Sequence, residues 1–217
     1  MRYEVSTSVI LTTYNSIEFI SRALDSIYRQ TYKDYEVIVV DDCSTDETSD
    51  YIKNYYPTVK LIINAQNKGQ SESRNIGVSH SNGKFIAFLD SDDEWINHKL
   101  LNQIRMINQF NADISFTGFI DIRRRLIRYG LRDEYDTLQN VIRNGIPFST
   151  STFIIRKSKF NQVNGYNVKL RRAEDIDLYF RLALNENKCI FIKEKLSIIH
   201  HEKIDSITNN NINEHIK

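Results

Sequence analysis

Four short apolar runs, each followed by residues at helical spacing, divide the first half of the chain into repeating units. Ser8–Leu11 reads as a strand, and Ile17, Ile20, Ala23, Leu24 and Ile27 then recur along one helix face, with Asn15 or Ser16 as the cap. Tyr35–Val40 is apolar almost throughout, as a strand covered on both faces must be. Ser44 with Glu47 suggests a capping box for a helix over Asp46–Tyr55. Val59–Ile63, a helix around Ser71–Val78 after Gly69, Lys84–Leu89 and a helix over Leu100–Phe110 complete the series. Such alternation predicts right-handed crossovers and a parallel sheet, the α/β class, and puts every strand's C-terminal end on one rim, where open sheets of this kind bind ligands.

The alternation fades after about residue 110. Strands are expected over 112–120, 121–128 and 151–156, helices over 134–143 and 173–184, and short strands at Cys189–Lys193 and Leu196–His200. Residues 1–110 therefore read as one half of a domain, 111–208 as a smaller mixed half, and 209–217 as a polar tail. The chain of 217 residues carries 29 basic and 28 acidic side chains, a balance that argues against a dedicated nucleic-acid binder. Two cysteines make no disulfide framework and fit a reducing compartment. No apolar run reaches the ~18 residues of a membrane span, and the N-terminus lacks the pattern of a secretory signal. The expected location is the cytoplasm.

The chemistry-bearing residues fall where the topology puts ligands. Asp41 and Asp42 follow the second strand directly, and Asp90, Asp92 and Asp93 follow the fourth. Carboxylates crowded into one crevice repel one another unless a cation sits among them. Oxygen donors on loops suit Mg²⁺ or Mn²⁺, commonly shared with substrate phosphates. Asp also favours turns and helix caps for its own sake, which is the plain reading of either cluster alone.

Five segments in order give this pattern a family likeness: Ser8–Asn15 (SVILTTYN), Val37–Asp46 (VIVVDDCSTD), Gly69–Gly77 (GQSESRNIG), Phe88–Trp95 (FLDSDDEW) and Ala173–Ala183 (AEDIDLYFRLA). Together they resemble family 2 glycosyltransferases of the GT-A fold, over nearly the whole chain from Val5 to about Thr208. The resemblance implies inverting transfer of a sugar from a nucleotide donor, normally a UDP-sugar, to a hydroxyl of a glycan or lipid-linked acceptor in bacterial surface polysaccharide synthesis. It implies Thr12, Tyr14 and Asp42 for the nucleobase, with Asp42 accepting the base N3–H, and Arg74 for the base or diphosphate. Asp92 and Asp93 fall to ribose and metal, Asp93 first for the metal, with Asp90 on the ribose or orienting the loop. Asp175, beside Glu174, falls to the general base that takes a proton from the acceptor hydroxyl. His201 falls to the metal or diphosphate.

The residues themselves allow quieter roles. Trp95 can wall the sugar site or anchor the core, and Glu174 and Asp175 can simply complement a helix N-terminus. The basic run Arg123, Arg124, Arg125, Arg128 and Arg132 suits solvent or an anionic lipid surface, the latter giving peripheral contact at the inner face of the membrane. A nucleotidyltransferase would want a Gly-rich basic loop after the first strand, where this chain has Thr12-Thr13-Tyr14-Asn15. A Rossmann dehydrogenase or methyltransferase would want a Gly-rich first turn, and none is present. A non-catalytic partner subunit on the same fold has no need of Asp42, Asp92, Asp93 and Asp175, all of which are in place.

Overall fold

The computed structural model describes residues 5–123, 126–128, 134–143 and 149–201. The first half holds β1 (Val5–Thr13), α1 (Ile20–Tyr28), β2 (Tyr35–Asp41), α2 (Thr48–Tyr55), β3 (Lys60–Ile63), α3 (Gln70–Ser79), β4 (Gly83–Asp90), β5 (Glu94–Trp95) and α4 (Lys99–Gln109). The second holds β6 (Ile114–Asp121), β7 (Leu126–Arg128), β8 (Glu134–Thr137), α5 (Leu138–Arg143), β9 (Ile154–Arg156), α6 (Lys157–Gln162), α7 (Glu174–Ala183) and β10 (Lys188–Ile199). One sheet runs through both halves in the order β3-β2-β1-β4-β9-β6-β10-β5, with β7 on β6 and β8 on β10.

The strands β1, β2, β3 and β4 pair in parallel, as do β6 and β10. Strand β9 is antiparallel to both β4 and β6, so β4 and β6 point the same way. The C-terminal ends of β1, β2, β3, β4, β6 and β10 consequently share one rim.

Period-two alternation decides which face each strand residue serves. Val9, Leu11, Val37 and Val39 pack on one face with Ile20, Ala23, Leu24 and Ile27 of α1 and Leu100, Ile104 and Ile107 of α4. Ile10, Ile38, Val40 and Phe88 pack on the other with Val78 of α3, Phe160 of α6 and Leu178 and Leu182 of α7. The result is the predicted α/β layering. Trp95 belongs to the first of these cores, with its indole N–H donated to the Ser151 carbonyl at 2.7 Å and the Lys99 ammonium 4.1 Å above its ring.

Several local expectations are corrected. Neither Asn15 nor Ser16 caps α1 through its side chain, because Asn15 sits at φ +48° accepting from the Thr45 N–H and Ser16 turns toward Ser91. The capping box of Ser44 and Glu47 does not form, since Ser44 donates its N–H and hydroxyl to Asp41 and the helix begins at Thr48. The two short strands near the end are one strand, β10, whose register against β6 shifts between Ile192 and Ser197. Residues 134–137 are a strand that pairs with β10, so only 138–143 are helical there. Of the strand expected over 151–156, residues 150–152 form a 3₁₀ turn and only 154–156 a strand. Among the described residues no helix is long and apolar enough to cross a membrane. The tail from 209 and much of the basic run, including Arg124, Arg125 and Arg132, lie outside the described residues.

Gly77 shows how closely α3 lies on the sheet. A Cβ there would stand 2.5 Å from Ile10 Cγ2 and 3.3 Å from Val40 Cγ2. Gly77→Ala is expected to destabilise the fold by about 1–3 kcal/mol through overpacking. Urea unfolding measures it, and an unchanged midpoint would mean that α3 has room to retreat.

Candidate active site

Strand register brings the two acidic segments together. Thr12 of β1 pairs with Asp90 of β4, and Thr13 pairs with Asp41 of β2, so the ends of three adjacent strands carry Thr12, Asp41 and Asp90 side by side. The two aspartates after β2 then divide their work. Asp41 is fully buried and accepts from the Ser44 N–H at 2.9 Å, the Ser44 hydroxyl at 2.6 Å and the Ser49 hydroxyl, so it holds the loop closed. Asp42 faces the following loop. Its Oδ1 accepts from the Lys68 N–H and the Asn64 side chain, each at 2.8 Å, and its Oδ2 from the Gly69 N–H at 2.7 Å. Gly69 precedes α3 at φ +89°, a backbone setting that glycine takes without strain. Asp42 thus shapes the segment that leads into α3 and keeps one acceptor site on Oδ2 by valence. Tyr14, 42 % exposed, stands just beyond the end of β1.

The Asp90–Asp93 turn is anchored from three sides. The Asp93 N–H donates to the Asp90 carbonyl, Ser91 contacts Ser16 at 3.0 Å, and the Arg22 guanidinium donates to the Asp92 carbonyl at 2.6 Å. Asp93 points inward and is 3 % exposed. Its Oδ2 accepts from the Ser151 hydroxyl at 2.5 Å and its Oδ1 from the His200 N–H at 3.1 Å. Burial and the nearby Asp92 and Asp90 charges push its carboxyl well above the ordinary range. The side chain ranked first for the metal is therefore turned into the protein, and half-buried Asp92 is the neighbour that retains access to solvent.

His201 follows β10 at φ +56°, and its Nε2 pairs with Asp121 Oδ2 at 3.2 Å. A carboxylate on one ring nitrogen is the usual setting of a histidine that presents the other nitrogen to a cation. Asp121 ends β6 opposite Ile199 and is a candidate site residue that the motif reading did not include. The signal was there, because it closes an apolar strand just as Asp41 and Asp90 do.

Arg74 sits between two of the acidic segments. The residue is 2 % exposed, with Nη2 on Asp90 Oδ1 at 2.8 Å and Nη1 on Glu174 Oε1 at 3.1 Å. Burial opposes its charge, but Asp90, Tyr166 and Glu174 more than offset that and hold it protonated. Glu174 opens α7 and Asp175 follows, half-buried, with Oδ1 accepting the Ile176 N–H at 2.8 Å. Asp90 and Glu174 are thus joined through one cation, and Asp175 stands next to that junction. Trp95, by contrast, is 2 % exposed in the core, and its indole is closed off from the rim.

Could these residues hold a divalent ion? Among the described residues no three His, Cys, Asp or Glu side chains cluster closely enough to do so alone. Asp92 and His201 are each one residue from the contact between Asp93 and the His200 N–H, so both approach the same end of the rim. One or two protein ligands completed by phosphate oxygens and water is the ordinary mode for Mg²⁺ on nucleotide substrates, and this donor set fits it.

Known proteins share this architecture. The model of glycosyl transferase family 2 matches residues 8–168. A Bacillus subtilis protein named as a teichuronic acid biosynthesis glycosyltransferase, TuaG, is 29 % identical over 84 % of this chain and 76 % of its own length. The Escherichia coli UDP-Glc:alpha-D-GlcNAc-diphosphoundecaprenol beta-1,3-glucosyltransferase WfgD is 37 % identical over 52 % of this chain and 45 % of its own. The crystal structure of Staphylococcus aureus TarS 1–349 in complex with UDP superposes with a TM-score of 0.80 at 26 % identity, covering 90 % of this chain and 60 % of that one. The chain thus spans less than half of WfgD and about three fifths of the TarS fragment.

Asp42→Ala is expected to cost about 1–3 kcal/mol, because it strips the acceptor from three donors around Gly69. Asp42→Asn, which keeps one oxygen, should fall between the variant and wild type in urea unfolding. A loss below about 0.5 kcal/mol for the alanine variant would show that those donors find other partners.

Proposed function

The chain belongs to glycosyl transferase family 2, and from that premise we propose that it transfers a sugar, with inversion, from a UDP-sugar to a hydroxyl of a lipid-linked or growing glycan. The observation that carries this reading is the shared rim. Strand ends bearing Thr12, Asp42 and Asp90 lie beside a helix that opens with Glu174 and Asp175, the two regions being joined through Arg74. The related TarS, crystallised with UDP and with UDP-GlcNAc, supports a uridine nucleotide as donor carrier. WfgD, named for a diphosphoundecaprenol acceptor, supports a lipid-linked saccharide.

In this reading Tyr14 covers the base and Asp42 accepts its N3–H at the Oδ2 acceptor site left over beside the Gly69 N–H bond. Thr12 lines the same pocket, and Asp90 borders the ribose. Asp92 and His201 would hold Mg²⁺ or Mn²⁺ against the diphosphate, and a cation there supplies charge neutralisation for the departing nucleotide. Asp175 takes the proton of the acceptor hydroxyl as that oxygen forms its bond to the anomeric carbon. The bond from that carbon to the diphosphate oxygen breaks with it, and the nucleoside diphosphate departs with the electron pair. Asp121 keeps the His201 ring in one orientation. The reaction belongs on the cytoplasmic side, with the 123–132 segment as the contact to an anionic bilayer.

Calorimetry and turnover test this together. UDP with Mn²⁺ should bind wild type, whereas NAD, S-adenosylmethionine and a nucleoside triphosphate should bind far more weakly. Asp175→Asn should retain UDP binding and lose turnover by roughly 10²–10⁴-fold. Asp92→Ala should lose the metal-dependent part of UDP affinity. Full turnover by Asp175→Asn, or metal-stimulated UDP binding undiminished in Asp92→Ala, would remove the corresponding assignment.

A further inference from the structure

Strand β9 runs antiparallel to β4, and Ala87 with Ile154 is the last pair toward the rim. Carried three residues further, that register sets Ser151 beside Asp90, although residues 150–152 have left the strand for a 3₁₀ turn. Ser151 is fully buried, and both its hydroxyl and its carbonyl are in use. The hydroxyl oxygen accepts the Asp90 N–H at 3.2 Å, and the hydroxyl proton goes to Asp93 Oδ2 at 2.5 Å. A serine hydroxyl has a single proton, so an N–H on one side and a carboxylate on the other fix its orientation. The carbonyl accepts the Trp95 indole N–H at 2.7 Å and the Ser197 hydroxyl at 2.9 Å.

The turn that carries Ser151 is itself held from behind. Gln103 of α4 donates its amide to the Thr152 carbonyl at 3.0 Å and to the Ser115 carbonyl and hydroxyl at 3.2 Å and 3.1 Å. Lys99 dictates which way that amide points, because its ammonium donates to Gln103 Oε1 at 2.6 Å. An ammonium has no acceptor, so only the amide oxygen can face it. On the other side, the Asp90–Asp93 turn closes on itself through the Asp93 N–H and the Asp90 carbonyl at 3.1 Å, and Arg22 takes the Asp92 carbonyl. Ser151 reaches across both ends of this turn from a fixed base.

We propose that Ser151 is a positioning residue for the Asp90–Asp93 turn, gripping both ends of it from inside so that Asp92, between them, keeps its setting at the cleft. This rests on the reading of Asp92 as a ligand of a divalent cation at the donor diphosphate. Loss of the hydroxyl takes a donor from an Asp93 carboxylate that is 3 % exposed, and a buried acceptor left without its donor is costly. Asp93 relieves that cost by rotating toward solvent, and the peptide that it shares with Asp92 turns with it. Hydrogen-bonded partners behind a ligating carboxylate govern cation affinity in this way. The effect of Ser151 therefore falls on the cation-dependent part of nucleotide binding and spares the base pocket at Thr12, Tyr14 and Asp42.

The test compares Ser151→Ala with Ser197→Ala, which takes a donor from the same Ser151 carbonyl and leaves the acidic turn untouched. Calorimetry measures UDP affinity over a series of Mn²⁺ concentrations and in EDTA. Ser151→Ala should raise the Mn²⁺ concentration for half-maximal UDP binding by roughly 10-fold, with the affinity in EDTA within about twofold of wild type. Ser197→Ala should keep both values at wild type. Amide exchange over 90–95, without nucleotide or metal, is a second readout that should quicken in Ser151→Ala alone. Ser151→Cys, whose thiol is a weaker donor in the same place, should shift the Mn²⁺ requirement less, and it carries the test where alanine prevents folding. An unchanged Mn²⁺ requirement, an equal loss of affinity with and without Mn²⁺, or the same shift in Ser197→Ala would overturn the role. UDP binding by wild type that ignores Mn²⁺ would instead bring down the cation reading of Asp92, and the positioning role with it.

Discussion

A buried cation between two carboxylates from distant parts of the chain is the contact on which the site depends. Arg74 ties Asp90 to Glu174 while lying almost wholly out of solvent. Taking three charged groups out of water is costly, and such an arrangement persists only with good geometry on every member. Here the fork reaches one oxygen on each side, and an aromatic face covers the planar group. Removing one partner of a buried pair typically costs about 3–5 kcal/mol, since the other is left uncompensated. The cleft therefore cannot loosen at this point without a large penalty. Catalysis that depends on position benefits from that rigidity, because a displacement of about 1 Å can cost 10²-fold in rate.

The rest of the rim follows the same economy of short side chains at strand ends. Asp41 folds its loop inward, Asp42 holds the entry to α3, and Asp93 secures the 90–93 turn to Ser151 and to the His200 backbone. Asp41 and Asp42 are both buried, whereas Asp93 and Glu174 stand beside the half-buried Asp92 and Asp175. The chain's second half contributes the pair of Asp121 and His201.

Much of this was legible in the sequence. The alternation of apolar strands and amphipathic helices predicts the parallel sheet, and that sheet puts Asp42 and Asp90 on one rim, because C-terminal ends of parallel strands share an edge. Other features were not legible, for specific reasons. Within Asp90–Asp93 the pattern cannot say which carboxylate turns inward, since that is set by Ser151, 58 positions from Asp93, and by a backbone N–H 107 positions away. The pairing of Arg74 with Glu174, 100 positions away, is equally beyond what the local pattern can say. The capping box of Ser44 and Glu47 fails because Asp41 competes for Ser44 with a charge-assisted acceptor. Helix and strand boundaries in 134–156 were missed because pairing with β10, β4 and β6 overrides local preference.

The most direct measurement is a crystal structure of this chain with UDP and manganese. The account predicts uracil against Tyr14 and Asp42, manganese between Asp92 and the diphosphate, and Arg74 still bridging Asp90 and Glu174. UDP lying away from the ends of β1, β2 and β4, or no ion between Asp92 and phosphate, would contradict it.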